Sequence, residues 1–328
     1  MKKSMKKVMA PVMAAAMVAS LGTMASAEEE TVKLTVWGAE EDQTLLKELT
    51  DNFQAAYPDQ TFDIQIGVES ESTAKDTVLT DVEAAADVYA FADDQITDLV
   101  KAGALLKLDD YAEVLQMAGK TLDDVKAANV EGSVDAAMID GGMYAFPRAA
   151  DNGYFLYYDA SVLSEEDVAS WSSLLEAADA AGKKVGMTLA SGWYNASFFY
   201  GAGFTTALND DGTTAIDWNG TSADGYTGVD VVKGMLDIAG SPAFMAIADG
   251  DISNQLASGN LAACVSGTWD AMTAQEVFGD GYAATKLPTF TVGDQEVQQG
   301  SVAGYKYIGV NGYSENSGWA VLLADYLS

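Results

Sequence analysis

Phe91, Asp94 and Gln95 are residues whose types and spacing suit binding chemistry. A ring offers an apolar face, a carboxylate accepts hydrogen bonds, and an amide both donates and accepts them. A pyranose presents the complement, one apolar C–H face and a rim of hydroxyls. Taken singly, these residues read as a buried Phe and an ordinary Asp cap. Taken together they read as a small-molecule site, and a sugar site in particular.

The surrounding stretch is what must position them. Asp87 to Ala92 is apolar and β-prone, which predicts a buried strand. Asp93 and Asp94 then offer acceptors to the free N–H groups that open a helix. Ile96, Leu99 and Val100 form one apolar helical stripe, and Gly103 stops it, because glycine takes φ > 0 without steric cost. The three residues therefore fall where a strand's carboxyl end turns into a helix, the rim at which open α/β sheets bind ligands. The same logic returns between Leu261 and Asp270: an apolar strand, Gly267, then Trp269 at the strand's end.

The 328 residues carry 49 acidic and 17 basic side chains, a formal net charge of −32. Such a surface repels phosphate backbones and anionic headgroups, which argues against nucleic acid and peripheral membrane as partners. There is no His, so the commonest general base and metal ligand is missing. Cys264 is the only Cys and lies in an apolar run, as a small core residue would. Ser-His-Asp and Cys-His nucleophiles are excluded, carboxylate catalysis is not, and nothing calls for a cofactor. Residues 1–27 read as a secretory signal peptide: four Lys, an apolar region, then Ala25-Ser-Ala27. The mature chain is thus expected outside the cytoplasm.

Downstream of the leader the order is β-α-β-α-β, implying a mainly parallel sheet with helices packed on it. Thr31 to Trp37 and Phe62 to Val68 alternate as strands, and Leu45, Leu46, Leu49 and Phe53 mark one face of the helix between them. Glu40, Glu41 and Asp42 suit the start of that helix. Arg148 is the only Arg. Asp151 to Asp159 leads through the buried strand Phe155–Tyr158, and Ser191 to Gly201 is an aromatic stretch opening a helix. Trp171 and Trp319 fall on helix faces and are assigned to core, while Trp37, at a strand's end, stays undecided.

The succession of Thr35-Val-Trp37, Ala86-Asp-Val88, Gly103-Ala-Leu-Leu106, Tyr144-Ala-Phe-Pro147, Leu156-Tyr-Tyr-Asp159, Gly259 to Trp269 and Leu287-Pro-Thr289 resembles the extracellular solute-binding proteins of bacterial ABC importers, most of all their maltose/maltodextrin-binding branch. The order and spacing carry the resemblance, which covers nearly all of the mature chain. It implies an α/β, two-lobed periplasmic-binding-protein fold with a hinge and a sugar held between the lobes. Residues 28–149 would start lobe 1, 150–300 form lobe 2, and 301–328 return to lobe 1. The family continues past Ser328 with further helices, a hinge crossing and another aromatic wall, so the chain reads as truncated.

The resemblance also assigns roles. Phe91 falls where that branch places a Trp against the sugar, and Asp94 where it has a hydroxyl-binding Asp. Gln95 stands in place of an Arg. Asp151 falls near an acidic ligand contact, Trp193 at a stacking Tyr and Trp269 at a stacking Trp. Glu41 and Asp42, with Glu40, lie where the first loop reaches the ligand. The implied partners are an oligosaccharide and a membrane ABC permease, with the protein a monomer and not an enzyme. Two rivals remain open. A binder of cationic solutes such as polyamines would also suit the acidity and the aromatic residues. A glycoside hydrolase would need two carboxyl groups about 5–10 Å apart, one of them with a raised pKa.

Overall fold

The structure, a computed structural model, describes residues 31–209 and 213–328. The signal peptide expected over 1–27 lies outside them. The principal strands are β1 (Val32–Gly38), β2 (Phe62–Val68), β3 (Val88–Ala92), β4 (Phe146–Ala149), β5 (Phe155–Asp159), β6 (Lys184–Met187), β7 (Phe244–Ala246), β8 (Leu261–Ser266), β9 (Tyr282–Thr285) and β10 (Lys306–Val310). The helices that matter below are α1 (Gln43–Ala56), α2 (Trp171–Ala180), α3 (Gly192–Gly201) and α4 (Ser317–Leu327). The chain divides into two compact units, one built from the described part of residues 1–150 with Gly304–Ser328, the other from Asp151–Ala303.

In the first unit the sheet order is β2-β1-β3-β10-β4. β1 pairs parallel with β2 and β3, and only β10 runs against the rest. The alternation of β1 buries Val32, Leu34 and Val36 and leaves Lys33 and Thr35 to solvent. β3 is central, flanked by β1 and β10, so Val88 to Phe91 are buried on both faces. α1 buries Leu46, Thr50 and Phe53, and Leu45, expected on that stripe, faces solvent instead. α4 is apolar on nearly every side and buries Ala320 to Asp325 and Leu327. Trp319 sits edge-on to Tyr57 and Phe62 at the margin of this core. Trp37 is half-buried against the same core, over Gly67, where a Cβ would stand 2.8 Å from its indole.

In the second unit the order is β7-β6-β8-β5-β9. β6 pairs parallel with β7 and β8, and β5 alone is reversed, antiparallel to both β8 and β9. Each sheet is therefore mainly parallel, with one strand in the opposite sense. Every residue of β8 is buried, Cys264 included, and burial pushes its thiol pKa up. Trp171 of α2 is fully buried, its indole N–H donating to the Gln299 amide oxygen at 2.6 Å.

One expected ligand contact is lost to this architecture. Phe91 is 0% exposed, between the rings of Tyr89 and Tyr307 at 5.9 and 5.7 Å. A ring on a central strand packed on both faces has no free side for a sugar, so Phe91 belongs to the core. The apolar run pointed to a buried strand, the resemblance pointed to a ring against the sugar, and the ring follows the strand.

Candidate functional site

In the first unit, the carboxyl ends of β1, β2, β3 and β4 and the amino end of β10 share one edge of the sheet. Each delivers charge there. After β1 comes the short 3-10 turn Glu40–Asp42, after β2 the loop with Glu71, and after β3 the turn Asp93–Gln95. β4 ends in Arg148 and Ala149, and β10 begins at Lys306.

Arg148 ties this rim together. Its two terminal nitrogens reach Asp42 Oδ2 at 2.5 Å and Glu71 Oε1 at 2.6 Å, with Lys306 Nζ 3.7 Å from the same Glu71 oxygen. Burial draws the Arg148 pKa down, but the hydrogen bonds and charges of Asp42 and Glu71 outweigh it and hold the pKa above its ordinary value. Glu71 is itself buried, and its backbone carbonyl accepts from the Gln95 side-chain amide at 2.5 Å. That amide also donates to Ser72 O, while its oxygen accepts from Lys75 N at 2.8 Å. Gln95 is only 4% exposed. Its amide is consumed in pinning the loop after β2 to the turn after β3, so the expected ligand contact is corrected to a structural one. Asp42 is half-buried and held by Arg148.

Glu41, Asp93 and Asp94 carry raised pKa values, chiefly because the surrounding protein strips water from them. Glu71 and Asp42 push Glu41 the same way, and Asp94 does so for Asp93, whereas Lys75 pulls Asp94 back. A carboxyl raised on folding adds stability below its unfolded pKa and loses it as pH rises through the folded value. Asp124, Asp167, Asp230 and Asp251 are lowered instead, by hydrogen bonds from Thr121, Ser164, Thr227 and Gln255. Their contribution is present at neutral pH and disappears as pH falls through their folded values. Acidification from neutrality should therefore first raise the melting temperature, helped by falling self-repulsion among an excess of 32 negative charges. It should lower it again once the hydrogen-bonded Asp side chains protonate. Scanning calorimetry between about pH 8 and pH 3 should show a maximum near about pH 5. A melting temperature that falls steadily from neutrality would contradict this.

In the second unit, β6 and β8 end at the edge where the reversed β5 begins. Trp193 opens α3 just after β6, Trp269 lies on the turn Thr268–Asp270 just after β8, and Asp151 lies just before β5. Topology thus brings together residues 76 and 118 positions apart in the chain. The Trp193 and Trp269 rings stand 5.9 Å apart with their planes inclined by 41°. Both are half-buried. The Thr268 hydroxyl donates to Asp151 Oδ2 at 2.8 Å. Beneath Trp193 lies Tyr154, buried and edge-on at 4.5 Å, its hydroxyl donating to the Trp193 carbonyl at 2.8 Å. Asp270, next to Trp269, is buried and accepts hydrogen bonds from Ser253 and Ser266. Two inclined indoles with a carboxylate and a hydroxyl beside them can cover apolar C–H faces and accept from hydroxyls.

Of the expected site residues, the second unit brings Asp151, Trp193 and Trp269 together. In the first, Glu41, Asp42 and Asp94 come to the rim, and Phe91 and Gln95 are structural. The reading missed Glu71, Arg148, Lys306, Tyr154 and Thr268 as parts of these two groups. A lone Arg among 49 acids was a usable signal, because a buried guanidinium must find carboxylates.

The family model described as "Bacterial extracellular solute-binding protein" matches residues 48–327. No curated protein sequence matches. Among solved structures, one determined with acarbose is 32% identical, with a TM-score of 0.73, covering 91% of this chain and 75% of that one. The maltodextrin-binding protein MalE1 from L. casei BL23, solved without ligand, is 24% identical with a TM-score of 0.63, at coverages of 91% and 75%. The maltotriose-binding protein of Thermus thermophilus, bound with maltotriose, is 18% identical with a TM-score of 0.72, at 90% and 76%. The last two likenesses bear on the fold alone.

Proposed function

Because this chain belongs to the bacterial extracellular solute-binding proteins, we propose that it is the substrate-binding component of an ABC sugar importer and that its solute is a maltose/maltodextrin-like oligosaccharide. It captures the sugar without converting it and presents it to a membrane permease. It acts as a monomer outside the cytoplasm, after loss of the leader.

The observation that carries the sugar is the pair Trp193 and Trp269, held 5.9 Å apart at the ends of two parallel strands. Neighbouring pyranose units can each lay an apolar face on one of two adjacent rings. The mutual inclination of 41° suits a chain of sugars that curves, as α-linked glucans do, more than a flat ribbon. The relative solved with acarbose, at 32% identity, supports the same reading. In the first unit, Glu41, Asp42 and Asp94 supply polar groups for hydroxyls at the sheet rim.

Isothermal titration of the whole chain tests this. Maltotriose should bind with an affinity that hardly changes with salt, spermidine should not bind, and incubation with maltooligosaccharides should release no new reducing ends. Spermidine binding that weakens steeply with salt, with no heat from maltotriose, would replace the sugar by a cationic solute.

A further inference from the structure

Residues 151–154 pass under both aromatic turns of the second unit and bond to each of them. At one end, Asp151 Oδ2 accepts from the hydroxyl of Thr268, the residue before Trp269. At the other, the Tyr154 hydroxyl donates to the carbonyl of Trp193, and the Tyr154 ring supports the indole edge-on at 4.5 Å. The segment is itself anchored. The Tyr154 carbonyl accepts from the Ser301 hydroxyl at 2.6 Å, and a Cβ on Gly153 would stand 2.5 Å from Val302 O. The fit above is as tight, since a Cβ on Gly267 would run into the Trp269 ring and stand 2.6 Å from Gly153 O.

We propose that Asp151 and Tyr154 are positioning residues, two ends of one strut that sets the spacing and tilt of Trp193 and Trp269. The Tyr154 hydroxyl also donates to the Tyr194 carbonyl, at 3.4 Å, so its end holds two successive residues of the turn. The strut matters because aromatic recognition depends on ring placement: side chains loose in solution must be ordered by the ligand, whereas rings already in place are not. Asp151 then acts as an acceptor for Thr268, a role that does not require its negative charge. A carboxylate contacting the solute directly would behave differently.

This inference rests on the sugar reading above, and the experiment separates the two. Asp151→Ala and Thr268→Val should each weaken maltotriose binding about threefold to tenfold, the range expected of one lost hydrogen bond. The double variant should lose no more than either single one, because both remove the same bond. Asp151→Asn keeps an acceptor and Thr268→Ser keeps the donor, so both should bind nearly as the parent does. Tyr154→Phe, which removes one oxygen from the other end, should also weaken binding within that range. Independently of any sugar, two indoles this close give an exciton couplet in circular dichroism. It should shrink in Thr268→Val and Tyr154→Phe while the urea unfolding midpoint moves little. An Asp151→Asn loss as large as that of Asp151→Ala, with Thr268→Val silent, would overturn the proposal in favour of direct ligand contact. So would an unchanged couplet in both hydroxyl variants. Absence of maltotriose binding by the parent protein would instead defeat the sugar reading, and the couplet would still decide the strut.

Discussion

Trp269→Ala should reduce maltotriose affinity by about thirtyfold, some 2 kcal/mol, the loss typical of a central aromatic anchor at a binding surface. The argument starts from placement. Trp269 follows a strand whose six residues are all buried, after Gly267, where no side chain fits between the indole and Gly153 O. The next residue, Asp270, is buried and bonded to two serine hydroxyls, so the turn is held on both sides of the ring. The indole itself is half-buried, with Trp193 at 5.9 Å. Truncation removes one of two rings and leaves the surrounding turn intact, so the loss should appear in affinity more than in stability. Trp171→Ala is the contrast. That ring is 1% exposed in the core, and its loss should cost about 3–5 kcal/mol of stability. Isothermal titration paired with urea unfolding separates the two outcomes. An equal affinity for maltotriose in Trp269→Ala and the parent would remove the aromatic pair from the site.

The strands and the placement of site segments at their ends were legible because they follow from short-range rules. Alternation identified β1, a fully apolar run identified β8, and the carboxyl-end rule placed Asp94 and Trp269 on a rim, while Trp193 came from the resemblance. What failed was the orientation of particular side chains. Phe91 lies in an apolar run, and a one-residue shift along a strand exchanges one face for the other. Here the choice of face would not have rescued it, because β3 is covered on both. Gln95 was misread for a different reason: its partners, Glu71, Ser72 and Lys75, lie in a polar stretch without periodicity some twenty residues upstream. Trp193 and Trp269 could be proposed singly, but their approach depends on β6 pairing with β8, a non-local fact that no window of sequence contains. Asp151 was placed near the ligand, and its bond to Thr268, 117 positions away, was equally out of view.

Arg148→Met should destabilise the first unit by about 2–4 kcal/mol. The side chain is 20% exposed and Glu71 only 7%, so the pair is largely removed from water. Methionine retains the apolar stem but leaves Glu71 with Lys306 at 3.7 Å and without its 2.6 Å partner, and leaves Asp42 without the guanidinium. Remaining contact with solvent keeps the cost below that of a fully sealed ion. Three rim segments then lose their common tie: the turn after β1 through Asp42, the loop after β2 through Glu71, and the end of β4 itself. Lysine should rescue only part of the loss, because one ammonium cannot reproduce a planar fork directed at two carboxylates. Glu71→Gln in the Met background removes the stranded charge and should recover much of the stability, which marks the cost as electrostatic rather than a packing defect. Urea unfolding of the single and double variants measures this directly. If Arg148→Met unfolds at the same denaturant concentration as the parent, the guanidinium does not hold the rim, and Asp42 and Glu71 are kept in place by the backbone of their own loops.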